Sequence, residues 1–371
     1  MTRSPHPGPH PGSLPLGEGE RFAAAVLRDF ARRVFQRVAL PEADAAHVAE
    51  LMVEADLSGA EGHGIFRLPQ YVRRIQAGGV NVSPTITARR TAAATALVDG
   101  DNGMGHLVMS RAAQLAIEIA RESGVAWVGV RMSNHAGPAA LYATMPLAHD
   151  LVGVYTAVAN ANHMPPWGGR ESVLGTNPIA IAVPTRDEPP FVLDMATTVV
   201  SYGTIKKHVQ RRLPLEPGWM VTAEGEAVLD PRRVAEGFLL PIGGYKGSGL
   251  AIGLGLLAGV LNGAAFGRDV VDFNADDRTA TNTGHAMLAL DPARFGPLDV
   301  FKSEVDRHLR ALRASARLPG VEAIYLPGER RQARIEERTR LGIPLPQPLV
   351  ADLDGLAERL GVEPLRARAG T

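Results

Sequence analysis

The 371-residue chain carries 39 basic and 39 acidic residues, is 45% hydrophobic, and contains no cysteine. Charge balance gives nucleic acid or an anionic membrane no reason to bind, and missing thiols exclude disulfides, thiolate metal sites and cysteine nucleophiles. The length exceeds what one compact core usually holds, which predicts two domains or one large domain with an appendage.

Residues 1–20, "MTRSPHPGPHPGSLPLGEGE", are rich in Pro, Gly and Ser and lack the apolar centre of a signal peptide. They read as a disordered tail in which His6 and His10 are solvated. From Arg21 the pattern is helical, with Phe22, Val26, Phe30 and Val34 on one stripe. Pro41 opens a second helix, with Glu42 and Asp44 in the acidic first turn that the helix dipole favours. A third helix runs over Leu68, Tyr71, Val72 and Ile75 and stops at Gly78-Gly79. This is a helical unit over 21–90.

The texture changes near Thr95. "TALVD", "VAWVGV", "LVGVYTAV", "PIAIAVP", "FVLDMA" and "HAMLAL" read as short strands, and "HLVMSRAAQLAIEIARES" as a long helix. A mixed α/β fold (α+β) with a sheet domain over 91–300 follows. A C-terminal helical segment, 301–371, is expected to pack back on the helical unit. It includes "SEVDRHLRALRAS", with Val305, Leu309 and Leu312 on one face. The longest apolar stretch, Leu250 to Leu261, falls short of the roughly 20 residues of a membrane span. A cytoplasmic protein without membrane contact is the expectation.

Several stretches carry candidate chemistry. "GLGLLA", Gly253 to Ala258, is not a dinucleotide fingerprint, because its glycines lie inside an apolar run and do not follow a strand; close packing of a buried helix explains them. In "EGHGIFRLPQY", residues 61–71, His63 can move a proton near neutral pH and Arg67 can grip a carboxylate through two parallel bonds. A helix-terminal histidine and a surface arginine are the plain alternative. "SNHAG" places His135 after a strand, with the small Ala136 and Gly137 leaving space for a flat ring; a loop histidine held by Asn134 is the alternative. Asp194 in "FVLDMATT" either holds a histidine in one tautomer or caps the next helix. "PPWGGRESVLGTNP" supplies Thr176 from a pocket-shaping loop, and "GGYKGSG" wraps Lys246 in glycines suited to phosphate. The 11 histidines are scattered without metal-ligand spacing.

Taken in order, "EGHGIFRLPQY", "SNHAG", "PWGG", "GTNP", "LDMAT" and "GGYKGSG" resemble the malate/L-lactate dehydrogenase family that lacks a Rossmann fold, over roughly residues 21–345. That family also includes ureidoglycolate dehydrogenases, diketogulonate and sulfolactate oxidoreductases, and Δ1-piperideine-2-carboxylate reductases. The resemblance implies a homodimer whose largely antiparallel middle sheet binds NADP or NAD. It implies hydride transfer to or from C2 of a small 2-oxo, 2-hydroxy or cyclic 2-imino acid. By matching positions, His63 is a proton donor, Arg67 and Thr176 are substrate ligands, and His135 touches the nicotinamide or acts as the acid/base. Asp194 is a relay aspartate. Ala136, Gly137, the stretch Asp194, Met195 and Ala196, then Lys246, Arg330 and Arg331 contact the cofactor; solvated charges are an equal reading of the two arginines. Two departures stand out. Gly62 replaces the Ser or Thr that usually precedes the first histidine, which opens the alternative of a weakly active or inactive binding protein. His163 in "NANHMPP" stands where an aliphatic or small residue is expected, and either faces substrate or lines a wet loop.

Overall fold

The computed structural model describes residues 19–368, so most of the 1–20 tail, with His6 and His10, lies outside the described residues. The first turn differs from the helical reading. Glu20–Phe22 is a strand paired antiparallel with Ile343–Leu345, and the helix begins at Ala24, running to Arg37. Phe22 is still buried because the strand points it into the core. The helices Glu42–Leu57 and Leu68–Gln76 follow. With Ala24–Arg37 they enclose one apolar core around Phe30, Phe35, Met52 and Leu68, which Ile343, Val350, Leu353 and Leu356 complete from the end of the chain. The intervening helix Leu298–Arg313 sits elsewhere: Arg310 and Arg313 bind Glu188, and buried Asp306 accepts the backbone N–H groups of Arg186 and Asp187.

A seven-stranded sheet forms the centre. Its spatial order is Thr87–Ala92, Thr95–Asp99, Val125–Ser133, Thr283–Leu290, Val152–Ala157, Ile179–Val183 and Phe191–Met195. Only the pairing of Thr95–Asp99 with Val125–Ser133 is parallel; the rest is antiparallel. The first strand, "TARRTA", escaped the sequence reading because it is an exposed edge strand without apolar alternation.

Period-two alternation decides how the sheet is covered. Val128 and Val130 face the Ala-rich side of helix Gly105–Ser123, in a core with Ala112, Ala116 and Ala120. Gly129, between them, faces the other way, and a Cβ there would strike the Asn262 side chain at 2.0 Å. Helix Tyr245–Ala258 and the turn after it therefore press onto the opposite face. This helix is not the fully buried one read from its apolar run. Leu250, Leu256, Leu257, Val260 and Leu261 are all exposed, at 39–62%.

Candidate active site

A cleft of about 460 Å³ opens between the helical core and the end of the sheet. The helix Glu42–Leu57 ends, and the short 3-10 turns Glu61–His63 and Ile65–Arg67 carry the chain across the mouth. Buried Asp56 organises this crossing by accepting the Ile65 N–H at 2.7 Å. His63 and Arg67 are thereby set on the cleft wall. From the sheet, strand Val125–Ser133 ends and releases His135, Ala136 and Gly137 onto the facing wall. Asn134 fixes that exit by donating to the carbonyls of Asn102 and Gly103, both at 3.0 Å.

The two histidines meet. His63 Nδ1 lies 3.2 Å from His135 Nε2, with ring planes 6° apart. His135 stacks on Phe273 at 5.0 Å, and the Tyr71 hydroxyl reaches its Nδ1 at 2.5 Å. Burial, followed by the Arg67 and Lys207 charges, lowers His63 to about 3. Burial and neighbouring cationic groups hold His135 well below the usual imidazole range. Both rings are therefore neutral near pH 7.

Arg67 is aimed by its surroundings. Its Nε donates to the Gly62 carbonyl at 2.8 Å and its Nη1 to Gln70 Oε1 at 2.7 Å, while Gln70 is anchored on the Phe273 carbonyl at 2.9 Å. Lys206, on helix Tyr202–Arg211, comes from the opposite side. Arg67 Nη1 and Lys206 Nζ both point at Asn274 Oδ1, at 3.4 and 3.3 Å. Burial, and next the Arg67 charge, lower the Lys206 ammonium. Two cations thus share a neutral amide oxygen, without a carboxylate within bonding distance of either among the described residues.

Asp194 lines the same cleft but does not bond either histidine. It lies within strand Phe191–Met195 rather than after it. Its Oδ2 accepts the N–H of Ala140, first residue of the short helix Ala140–Ala143, at 2.8 Å. It therefore caps an earlier helix, not the following one, which Ser201 caps. Its outer edge is open to the cleft, yet desolvation by the surrounding protein raises the carboxyl to about 6, against the Ala140 bond and the Arg331 charge.

Thr176 lines the cleft, its carbonyl tied to the Thr197 N–H at 3.0 Å. His163 lines it too, stacked on Tyr202 at 3.9 Å. Met195 and Ala196 are half-buried beyond Asp194. Lys246 stands apart: it is exposed in the first turn of helix Tyr245–Ala258, outside the cleft lining. Arg330 and Arg331 diverge. Arg330 lies over the exposed Tyr325 ring, 4.4 Å from its centroid, while Arg331 reaches Glu54 at 3.5 Å. Arg334, one helical turn on, lines the cleft instead. A side chain at Gly62 would meet nothing within 4 Å, so this position is open space rather than a broken contact. Tyr71, Lys206, Phe273 and Asn274 are site residues that the sequence motifs did not single out. Tyr71 carried one usable signal, since it stands one helical turn after Arg67.

A family model described as malate/L-lactate dehydrogenase matches residues 22–354. The chain is 37% identical over 348 residues to the malate dehydrogenase of Pyrococcus horikoshii, across 91% of this chain and 95% of that one. It is 35% identical over 332 residues to the L-sulfolactate dehydrogenase of Methanothermobacter thermautotrophicus, across 89% and 94%. The solved structure of malate dehydrogenase from Pyrococcus horikoshii OT3 matches with a TM-score of 0.85 at 35% identity, over 94% of this chain and 97% of that one. The ordered motifs, the antiparallel sheet and these matches along nearly the whole chain converge: this chain belongs to the malate/L-lactate dehydrogenase family and is an NAD(P)-dependent oxidoreductase.

Proposed function

We propose that the cleft binds NADP or NAD along the sheet side and reduces or forms the C2 carbonyl of a small 2-oxo or 2-hydroxy acid, the malate and sulfolactate types included. The observation that carries this reading is the convergence of Arg67 and Lys206 on Asn274, beside a neutral imidazole pair. Like charges held together in a cleft, with Asp272 nearby but no carboxylate bonded to either among the described residues, favour an anionic ligand. The cleft lining also includes the small or apolar Ala136, Gly137, Ala157, Val158, Ala159 and Pro178, which suit a planar ring. The dinucleotide would supply or accept a hydride there. Arg67 and Thr176 would hold the carboxylate and fix the distance to the reacting carbon, and an imidazole would exchange the proton with the substrate oxygen. Arg334, in the cleft lining, and Arg331, whose charge acts on Asp194, would meet the cofactor's anionic parts, with Lys246 and Arg330 outside that lining.

The inactive alternative drawn from Gly62 finds no support. The relatives are dehydrogenases, and neither histidine depends on a hydroxyl at that position for its place in the cleft. The exposed row Leu250, Leu256, Leu257, Val260 and Leu261 supports a homodimer joined through this face. The activity reading is tested by titrating NADPH and NADH against the protein by fluorescence, then adding 2-oxo acids and cyclic 2-imino acids. Saturable binding and turnover of a 2-oxo acid are expected. Binding without turnover across the whole panel overturns the catalytic reading, and absence of binding overturns the cofactor reading too.

A further inference from the structure

Resting on that reading, the geometry points to Tyr71 as the terminal proton reservoir of a relay, Tyr71 to His135 to His63, in which His63 alone meets the substrate. The Gly137 N–H, which can only donate, points at His135 Nδ1 at 3.4 Å, and the Tyr71 hydroxyl, which can give or take a hydrogen, lies 2.5 Å from the same nitrogen. That nitrogen must therefore be the lone-pair nitrogen of a neutral ring, and the proton sits on Nε2. His135 Nε2–H then donates to His63 Nδ1 across 3.2 Å. The same logic moves outward one ring, so His63 carries its proton on Nε2. This last atom is not among the buried side-chain polar atoms left without a partner, and His63 lines the cleft. One imidazole N–H is thus presented to the substrate, and both tautomers are set from Tyr71, which is 2% exposed.

The charges around the chain explain why it works through neutral groups. Arg67 and Lys207 are the cations facing the pair, and His106 and His285 are the adjacent imidazoles. Glu61, the acidic neighbour, is occupied by Lys207 at 2.6 Å and by Arg338. Asp194 accepts the Ala140 N–H and bonds neither imidazole. Without a carboxylate to stabilise it, an imidazolium is disfavoured, and a concerted shift of three protons avoids forming one. In the reductive direction, as the substrate oxygen gains negative charge, His63 Nε2–H passes to it. His135 Nε2–H passes to His63 Nδ1, and Tyr71 O–H passes to His135 Nδ1. Burial raises the Tyr71 hydroxyl well above its usual range, which makes the phenolate a short-lived partner that must be reprotonated, and the facing Arg67 guanidinium offsets part of that cost. After product leaves, water in the cleft returns one proton to His63 Nε2 and the chain resets, so one solvent proton and one hydride from the reduced dinucleotide are consumed per turnover. Oxidation runs the same shift backwards.

The test combines Tyr71→Phe with a measurement on the cofactor-free protein. Tyr71→Phe is expected to lower the reductive kcat about 100-fold, within the range of lost general acid catalysis, with KM for the dinucleotide unchanged. The variant must then draw its proton from an imidazolium, so its kcat is expected to rise about tenfold per unit as pH falls from 8 to 6, where the unsubstituted enzyme is flat. A kcat within threefold of the unsubstituted enzyme with the same pH profile overturns the relay. Long-range ¹⁵N–¹H NMR of the unsubstituted protein at pH 7 is expected to show His63 and His135 both as neutral Nε2–H tautomers. An Nδ1–H or doubly protonated His135 overturns the relay, even where Tyr71→Phe does not fold. If no 2-oxo acid is turned over at all, the functional reading falls, while the tautomers still decide the hydrogen-bond chain.

Discussion

Arg67 spends two of its donors on protein atoms, Nε on Gly62 and Nη1 on Gln70, and so enters the cleft with its plane already fixed. A lysine at this position keeps the charge and loses the fork. Arg67→Lys is expected to raise KM for the 2-oxo acid at least tenfold, about 1.4 kcal/mol, with kcat changed less; steady-state kinetics check this. Lys206 bonds the Asn274 amide and lies over the Tyr202 ring, with the Asp272 charge nearby but no carboxylate bonded to it among the described residues. Lys206→Met is expected to raise KM for oxaloacetate, a dianion, more than for pyruvate, and equal effects on the two would remove Lys206 from the second anion's position. The sequence pointed to His63, Arg67 and His135 through the ordered motifs that resemble the family; read one by one, a helix-terminal histidine, a surface arginine and a loop histidine were the plain alternatives. It pointed to Asp194 as a relay aspartate or a cap of the next helix; the structure places it in the cleft lining and bonds it to Ala140, which is separated from it by 54 positions and offers only a backbone N–H. Tyr71 looked like one more apolar position on a helix stripe; its hydroxyl acquires meaning only when His135 arrives from the sheet.

At the scale of elements, helix Tyr245–Ala258 shows where an apolar run misleads. Its composition is that of a buried helix, yet one side faces outward. The inward side is held by close approach: a Cβ at Gly255 would lie 2.2 Å from the Phe266 ring and 2.8 Å from Asn177 Nδ2. Gly255→Ala is expected to destabilise the protein by about 1–3 kcal/mol through overpacking. At Gly355, in helix Gln347–Leu360, an added methyl meets nothing nearer than Arg359 at 3.7 Å. Gly355→Ala is expected to stabilise by about 0.5–1 kcal/mol, and chemical denaturation of the pair separates packing from propensity. The outward side gives a further expectation: Leu257→Glu shifts the protein to monomer in sedimentation if this face joins two copies.

For the whole molecule, buried titratable groups set the acid limb of stability. His106 and His285 are fully buried, and desolvation lowers each to about 3 from an unfolded value near 6.5. Their folded state resists protonation, so their contribution is complete above pH 6.5 and is lost as pH falls from there toward 3. Asp56 acts in the opposite sense. Burial raises it to about 7, so its contribution is complete below about 3.8 and is lost as pH rises through 7. Each unmatched proton is worth about 1.4 kcal/mol per pH unit. The histidines lowered by burial, among them His63, His106, His135, His163 and His285, outnumber the aspartates raised by it, Asp56 and Asp194, so the melting temperature is expected to fall between pH 6 and 5, and His106→Gln is expected to lessen that fall. A melting temperature that rises over this interval refutes the assignment.

The sequence alone determined the family, the three helices after Phe22, most strands of the sheet, and His63, Arg67 and His135 as candidates that the structure brings into one cleft. These are written in local periodicity and in short motifs, where neighbours along the chain carry the signal. Tertiary structure decided what touches what: the pairing of Phe22 with Ile343, the edge strand at Thr87, the meeting of Lys206 with Arg67 over Asn274, and the bond from Tyr71 to His135. Contacts between distant segments depend on how the sheet and helices pack, and no local pattern encodes a distance across that packing.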